Sequence, residues 1–173
     1  MNIEVIIIPR RILSETKAYL QKFGRQNSEG YLCWAGYPLG ETSVKITSCV
    51  FPPNWEPENS SFGFLEIGIH RAFGMGQVVA QRGELIFAQV HSHPYEAFHS
   101  HIDDERPLSH RPGFLSIVVP YFGFVELKDL KECKVFEYLG SGRWKEFSQS
   151  EVKRKFIITS NGFWGWCKQW IKT

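Results

Sequence analysis

One run constrains this chain more than any other: the apolar "ELIFAQV" (84–90) passes without a break into His91-Ser92-His93-Pro94. Its β-branched and aromatic residues predict a strand, and Pro94 ends that strand and turns the chain. On extended backbone, residues two apart point to the same side, so His91 and His93 aim both rings at one point. The stretch "HSHPYEAFHSHIDDERP" (91–107) holds four of the six histidines and a pair of adjacent aspartates. Imidazoles and carboxylates this dense are unusual in a segment whose only task is to fold.

The rest of the chain supplies a frame for that strand end. "IEVIIIP" predicts an opening strand, and "RRILSETKAYLQKFG" (10–24) spaces Ile12, Thr16, Tyr19 and Phe23 for a helix that stops at Gly24. "EGYLCWAG" (29–36) and "SVKITSCVF" (43–51) are strands, "PPNWEPENSS" (52–61) is a surface loop, and "FGFLEIG" (62–68) resumes strand character. A helix over 70–83 precedes the strand that enters His91. "GFLSIVVPYFG" (113–123) is apolar enough for a central strand covered on both faces. "CKVFEYLGSGRWKEF" predicts a hairpin turning at Gly140-Ser141-Gly142, and "SQSEVKRKF" a short helix capped by Ser148 with Glu151 three residues on. The tail 160–173, "SNGFWGWCKQWIKT", predicts a final aromatic-rich helix that either completes the core or offers Trp164, Trp166 and Trp170 to a partner. Strands and helices alternate with no repeat and no linker, which predicts one mixed α/β domain over residues 1–173.

Composition narrows the function classes. The 173 residues are 43% hydrophobic and 22% charged, ordinary for a globular domain able to bury its own core. A net charge of +2, with scattered basic residues, argues against nucleic acid or an anionic membrane surface as partner. The four cysteines are widely spaced with no CxxC pair, so they predict reduced thiols rather than a disulfide scaffold. No signal peptide is recognisable in "MNIEVIIIPR", and no run approaches the roughly 20 apolar residues that span a bilayer. A cytoplasmic location is expected.

Two histidines leaving a strand end at this spacing suit a tetrahedral metal. Zinc accepts His nitrogens and carboxylate oxygens, and a catalytic site uses three protein ligands and leaves one position open. An aspartate about ten residues downstream is within reach of a loop that folds back. HExxH is absent, and no CxxC accompanies an HxE, which argues against a zincin or a zinc deaminase. No cysteine sits in a recognisable nucleophile setting.

"HSHP" followed by Ser and Asp resembles the signature of the JAMM (MPN+) metalloprotease family: His-x-His-Pro, a spacer, Ser-x-x-Asp, and a Glu far upstream. The resemblance implies that His91 and His93 are metal ligands, Asp103 the third ligand, and Ser100 an oxyanion-holding hydroxyl. It implies Glu29, in "SEGYLCWAG", as the general acid/base, with Glu66 and Glu84 as rivals. It also implies one zinc per chain and a single MPN/cytidine-deaminase-like domain, a central mixed β-sheet flanked by helices.

The spacer departs from the family pattern by one residue, with six residues (94–99) between His93 and Ser100. Sliding the register by one places His101 at the serine position and Asp104 at the ligand. Asp103 is preferred, because a deletion in the turn disturbs less than an imidazole in place of a hydroxyl, but both registers stay open here. His99 and His101 are either donors behind the ligands or exposed loop residues. His70 and His110 are expected to be structural and surface residues respectively.

The resemblance extends to bacterial members that carry a His-Ser-x-x-Asp-Asp run and are encoded beside ubiquitin-like, E1-like and E2-like proteins. It implies a zinc isopeptidase or peptidase acting at the C-terminus of a ubiquitin-like protein. Two alternatives stand beside it: a non-enzymatic MPN-type scaffold, and a zinc hydrolase of small amides or thioesters.

Overall fold

Three runs of little polar content form the middle of the sheet. In the computed structural model, which describes residues 3–56 and 68–160, β2 (Tyr31–Pro38), β4 (Leu85–Ser92) and β5 (Leu115–Val119) carry the longest stretches of buried residues. Around them lie β1 (Val5–Pro9), β3 (Ser43–Val50), β6 (Lys134–Gly140), β7 (Arg143–Glu146) and β8 (Phe156–Thr159). The described strands make one eight-stranded sheet in the order β7-β6-β5-β4-β2-β3-β1-β8. It is mixed: β2 runs antiparallel to β3 and β4, β4 is parallel to β5, and β1 is parallel to β3 and β8. The helices are α1 (Arg10–Gly24), α2 (Ile69–Gln81), α3 (His101–Glu105) and α4 (Gln149–Lys155).

Strands buried on both faces lose polar alternation, and β2 shows what each face meets. Leu32 and Trp34 join Ile12, Leu13 and Leu20 of α1 in one core cluster. Tyr31, Cys33 and Ala35 join Met75 and Val79 of α2 in another. The buried Trp34 indole donates to the buried Thr16 hydroxyl of α1 at 2.9 Å, so the largest core residue also has its polar atom paired. Truncating it to Ala would cost about 3–5 kcal/mol. The expected fold class, a central mixed sheet flanked by helices, is the one observed.

Several elements differ from the expectation in ways that matter for the site. β2 begins at Tyr31, two residues later than expected, so Glu29 sits in the turn that enters the strand. The 113–123 strand stops at Val119, before Pro120, and Tyr121–Gly123 form a 3-10 turn instead. β8, which follows α4 directly and pairs with β1, was not expected at all, and the histidine-rich loop contains a five-residue helix, α3. Gly24 ends α1 as expected, but for a packing reason. A Cβ there would come within 2.3 Å of the Phe122 Cβ.

Cys33, Cys49 and Cys133 are free and buried, and burial pushes the Cys33 and Cys49 thiols up to about 12. No helix among the described residues is long and apolar enough to cross a membrane. The strand expected over 62–68, apart from Gly68, and the helix expected over 160–173, apart from Ser160, lie outside the described residues.

Candidate metal centre

The register of β2 against β4 places the strand half of the site. Tyr31 lies opposite His91, so both project to the α2 face, their rings stacked at 15° with centroids 6.5 Å apart. Continuing that register by two residues sets Glu29 opposite His93. Ser92 points to the other face. Its buried hydroxyl accepts from Gly30 N at 3.0 Å while its own N–H donates to Gly30 O at 3.0 Å, which fastens the turn carrying Glu29.

His93 is pinned along its backbone. Its N–H donates to Val119 O at 2.9 Å, and its carbonyl accepts from Phe122 N at 2.8 Å. One step on, Tyr121 N donates to Tyr95 O at 2.9 Å. Tyr121 and Phe122 hold these bonds with φ of 51° and 53°, the left-handed region that bulky side chains avoid. Such backbone costs about 1–3 kcal/mol per residue and persists only where surrounding structure imposes it. Here the imposing partners are the HxHP segment on one side and α1 on the other, where Gln21 donates to Gly123 O at 3.0 Å.

The helix half is built locally. Ser100 N and Oγ both donate to Asp103 Oδ2, at 2.8 and 2.6 Å, and Asp103 N donates back to Ser100 Oγ at 3.3 Å. This is a capping box with Asp in the place of Glu or Gln, so the Ser-x-x-Asp spacing is also the start of helix α3. With Oδ2 held, Oδ1 lies 3.2 Å from His91 Nε2, and Oδ2 itself is 3.7 Å from His93 Nε2. Burial acts to raise the Asp103 carboxyl, but the nearby His91 and His93 rings and the hydrogen bonds from Ser100 outweigh it. They hold the group well below the usual carboxylate range.

His91, His93 and Asp103 are all buried, and one potential ligand atom from each lies within 4.8 Å of the others. Both ring nitrogens of His91 and Nδ1 of His93 are buried without a hydrogen-bond partner. Buried polar atoms are nearly always paired, so three orphaned imidazole nitrogens need an explanation. A cation that takes nitrogen and carboxylate ligands supplies one, and the donor set suits zinc.

The other candidate residues sort cleanly by position. Glu29 is 5% exposed, and burial raises its carboxyl, partly offset by the charges of His93 and His91 and reinforced by Asp103. The structure brings Asp103 rather than Asp104 to the histidine pair. Asp104 turns its carboxylate to His99 Nδ1 at 2.7 Å, and His101 is 84% exposed beside Glu105. Glu84 lies at the other end of β4, where it accepts from Thr47 Oγ1 at 2.5 Å and Ser48 Oγ at 2.7 Å. Glu66 lies outside the described residues. His70 begins α2 exposed, and His110 is exposed with its ring edge-on to Tyr138.

Sequence reasoning missed the residues that support the ligands. Buried Gln89, two before His91, accepts from Leu108 N at 3.0 Å and from Tyr31 OH at 3.4 Å, and donates to Ser116 at 3.1 Å. It ties the segment after α3 to the strand that carries the histidines. A polar residue inside "LIFAQV" was the available signal.

No family model matches the chain. A protein of Sinorhizobium fredii named "Probable metalloprotease y4jG" is 28% identical over 159 residues, covering 92% of this chain and 97% of that one. Among solved structures, protein DSY2949 of Desulfitobacterium hafniense superposes with a TM-score of 0.58 at 16% identity, covering 90% of this chain and 94% of that one. A JAB1/MPN domain protein of Archaeoglobus fulgidus, AF2198, aligns with a TM-score of 0.48 at 18% identity, over 90% of this chain and 98% of that one. The signature that is spread over 75 residues of sequence, from Glu29 to Asp103, closes in space around the buried His91, His93 and Asp103, so the structure gathers the residues through which the chain resembles the JAMM (MPN+) family.

Proposed function

We propose that this chain is a JAMM-type zinc metalloprotease that hydrolyses the peptide or isopeptide bond at the C-terminus of a ubiquitin-like protein. One observation carries the catalytic part of the reading: a buried His-His-Asp cluster with orphaned nitrogens, beside a buried glutamate. The similarity to a protein named a metalloprotease points the same way. The ubiquitin-like substrate, and E1-like and E2-like partners, rest on the family resemblance alone. One zinc per chain and a cytoplasmic location belong to the same reading.

His91, His93 and Asp103 would hold the ion. A zinc ion in such a site acts as a Lewis acid on a carbonyl and lowers the pKa of water to about 7. Glu29 accepts a proton from the attacking water and returns it to the leaving amine. Its raised carboxyl suits that exchange, because a base works best when its pKa lies near the working pH. Ser100 orients Asp103 through Oδ2, and the oxyanion role implied for it requires the Ser100 O–H to turn its hydrogen bond from Asp103 Oδ2 to the substrate oxygen, the proton staying on Oγ. The Gly30–Ser92 bonds keep Glu29 beside the ligands through the cycle.

The test is a ubiquitin-like protein extended at its C-terminus by a fusion partner, incubated with the purified protein with and without chelator. Trimming at the C-terminus that chelator abolishes and zinc restores is expected. Cleavage of small amides or thioesters with the fusion left intact would replace the substrate assignment. Protein that retains no metal after expression with zinc would overturn the enzyme.

A further inference from the structure

The second aspartate of the motif region has a partner that the ligand set does not require. His99 Nδ1 lies 2.7 Å from Asp104 Oδ1, and the His99 side chain is only 5% exposed. An ionised carboxylate can only accept, so the ring donates from Nδ1. The imidazole stacks on Phe136 of β6 with centroids 4.2 Å apart at 16°, and meets Trp144 of β7 edge-on at 4.8 Å. Trp144 Nε1 donates to the Asp104 carbonyl at 3.3 Å. His99 and Asp104 therefore bracket Ser100–Asp103 in sequence and clasp each other across it, and both are seated on the β6–β7 hairpin.

A clasp of this kind answers a physical need. α3 has five residues, too few to hold a helix by its own hydrogen bonds. Its capping box orders Asp103 relative to Ser100, but that box says nothing of where the turn sits relative to β4. A ligand carboxylate must be fixed against the two histidines, which belong to a different element. The hairpin is two strands away from β4, with β5 between them, and so is rigidly tied to it.

We propose that His99 and Asp104 are a positioning pair: their hydrogen bond, seated on Phe136 and Trp144, holds the α3 turn so that Asp103 stays at ligand distance from His91 and His93. Neither residue belongs to the candidate ligand set His91, His93 and Asp103. The assignment rests on the metalloprotease reading for its purpose, but the geometry it predicts exists without metal.

The test uses His99→Phe, which keeps the ring on Phe136 and Trp144 while deleting the link, together with Asp104→Ala, Asp104→Asn and the double variant His99→Phe/Asp104→Ala. Two readouts are taken: amide exchange of Asp103 and Asp104 in the metal-free protein, and zinc affinity by chelator competition. Each single variant should expose the Asp104 amide, which donates to Ser100 O at 3.1 Å, to faster exchange while the strand amides stay protected. Zinc affinity should fall about 10–100-fold, as on removal of groups that orient ligands. The double variant should be no worse than either single one, because one interaction is lost in all three. Asp104→Asn, which keeps an oxygen facing Nδ1, should remain nearer the parent than Asp104→Ala. Unchanged exchange in the singles, or losses that add in the double, would overturn the pair. Should His99→Phe fail to fold, the half-exposed Asp104 variants decide the matter. Parent protein that binds no zinc would sink the metalloprotease reading alone, since exchange in the metal-free protein still reports whether the pair holds the turn.

Discussion

Two helices in this fold begin with the same local device, a serine whose side chain exchanges hydrogen bonds with an acid three residues on. Ser148 and Glu151 open α4 at the surface, and Ser100 and Asp103 open α3 beside the histidines. In α4 both acid oxygens are committed to donors. Glu151 Oε2 takes Ser148 N and Oγ, each at 2.9 Å, and Oε1 takes Lys145 Nζ at 2.7 Å. In α3 only Oδ2 is committed to the cap, and the shorter Asp side chain turns Oδ1 toward His91. The first acid is spent on its cap and on Lys145. The second keeps an oxygen for a cation, and burial makes that oxygen valuable because water cannot compete for it.

The comparison is broken most directly by removing the two acids. Asp103→Asn should leave the protein folded but unable to retain zinc or cleave substrate, and His91→Ala should do the same. Glu151→Gln should leave metal content and turnover at the parent level. Elemental analysis and a cleavage assay on the same preparations check both. Zinc retained by Asp103→Asn and lost by Asp104→Asn would reverse the register and make α3 a plain cap like α4.

A smaller effect separates binding from chemistry on the strand side. Glu29→Gln should keep zinc and the thermal midpoint while turnover falls at least about 10²-fold, since an amide cannot accept the proton. Turnover near the parent's with metal in place would remove Glu29 from the mechanism.

The serines give the next step down. Ser100→Ala and Ser148→Ala should each cost about 1 kcal/mol of stability, the usual loss for an N-cap. Only Ser100→Ala should also weaken zinc, by about 10–100-fold, because its hydroxyl orients a ligand. Calorimetry with chelator titration distinguishes the two, and equal zinc affinities in both variants would mean that the cap does not position Asp103.

The two halves of the site were unequally legible in sequence. His91 and His93 could be read from an apolar strand and a period of two, because alternation is a backbone property that needs no partner. The α4 box was read from spacing alone for the same reason. The α3 box has identical spacing but lies in a loop dense with other polar groups, where only the serine of the family pattern favours Asp103 over Asp104 until burial separates them. Glu29 was found only through the family pattern. Its place depends on β2–β4 register and on Ser92, which are contacts between residues 62 positions apart. His99 was ambiguous for a similar reason: its environment, Phe136 and Trp144, arrives from a distant hairpin. β8 was missed because four residues directly after a helix carry too little pattern to announce a strand.

The smallest expected effect is the pH dependence of the α4 cap. Hydrogen bonds from Lys145, then from Ser148 backbone and side chain, hold the Glu151 carboxyl down at about 2 against an ordinary 4.5. A group whose pKa is depressed by folding stabilises the fold fully above its unfolded value, and that contribution disappears as pH falls through the folded one. Glu151→Gln should therefore lower the thermal midpoint slightly at neutral pH, and the gap from the parent should close on acidification toward pH 2. High salt should narrow the gap as well, because the Lys145 contact is exposed to solvent screening. Zinc content of the variant, measured alongside at neutral pH, should match the parent throughout. A gap that widens in acid would mean that Lys145 and Ser148 do not hold Glu151 in its charged form, and the contrast between a closed cap on α4 and an open one on α3 would lose its electrostatic basis.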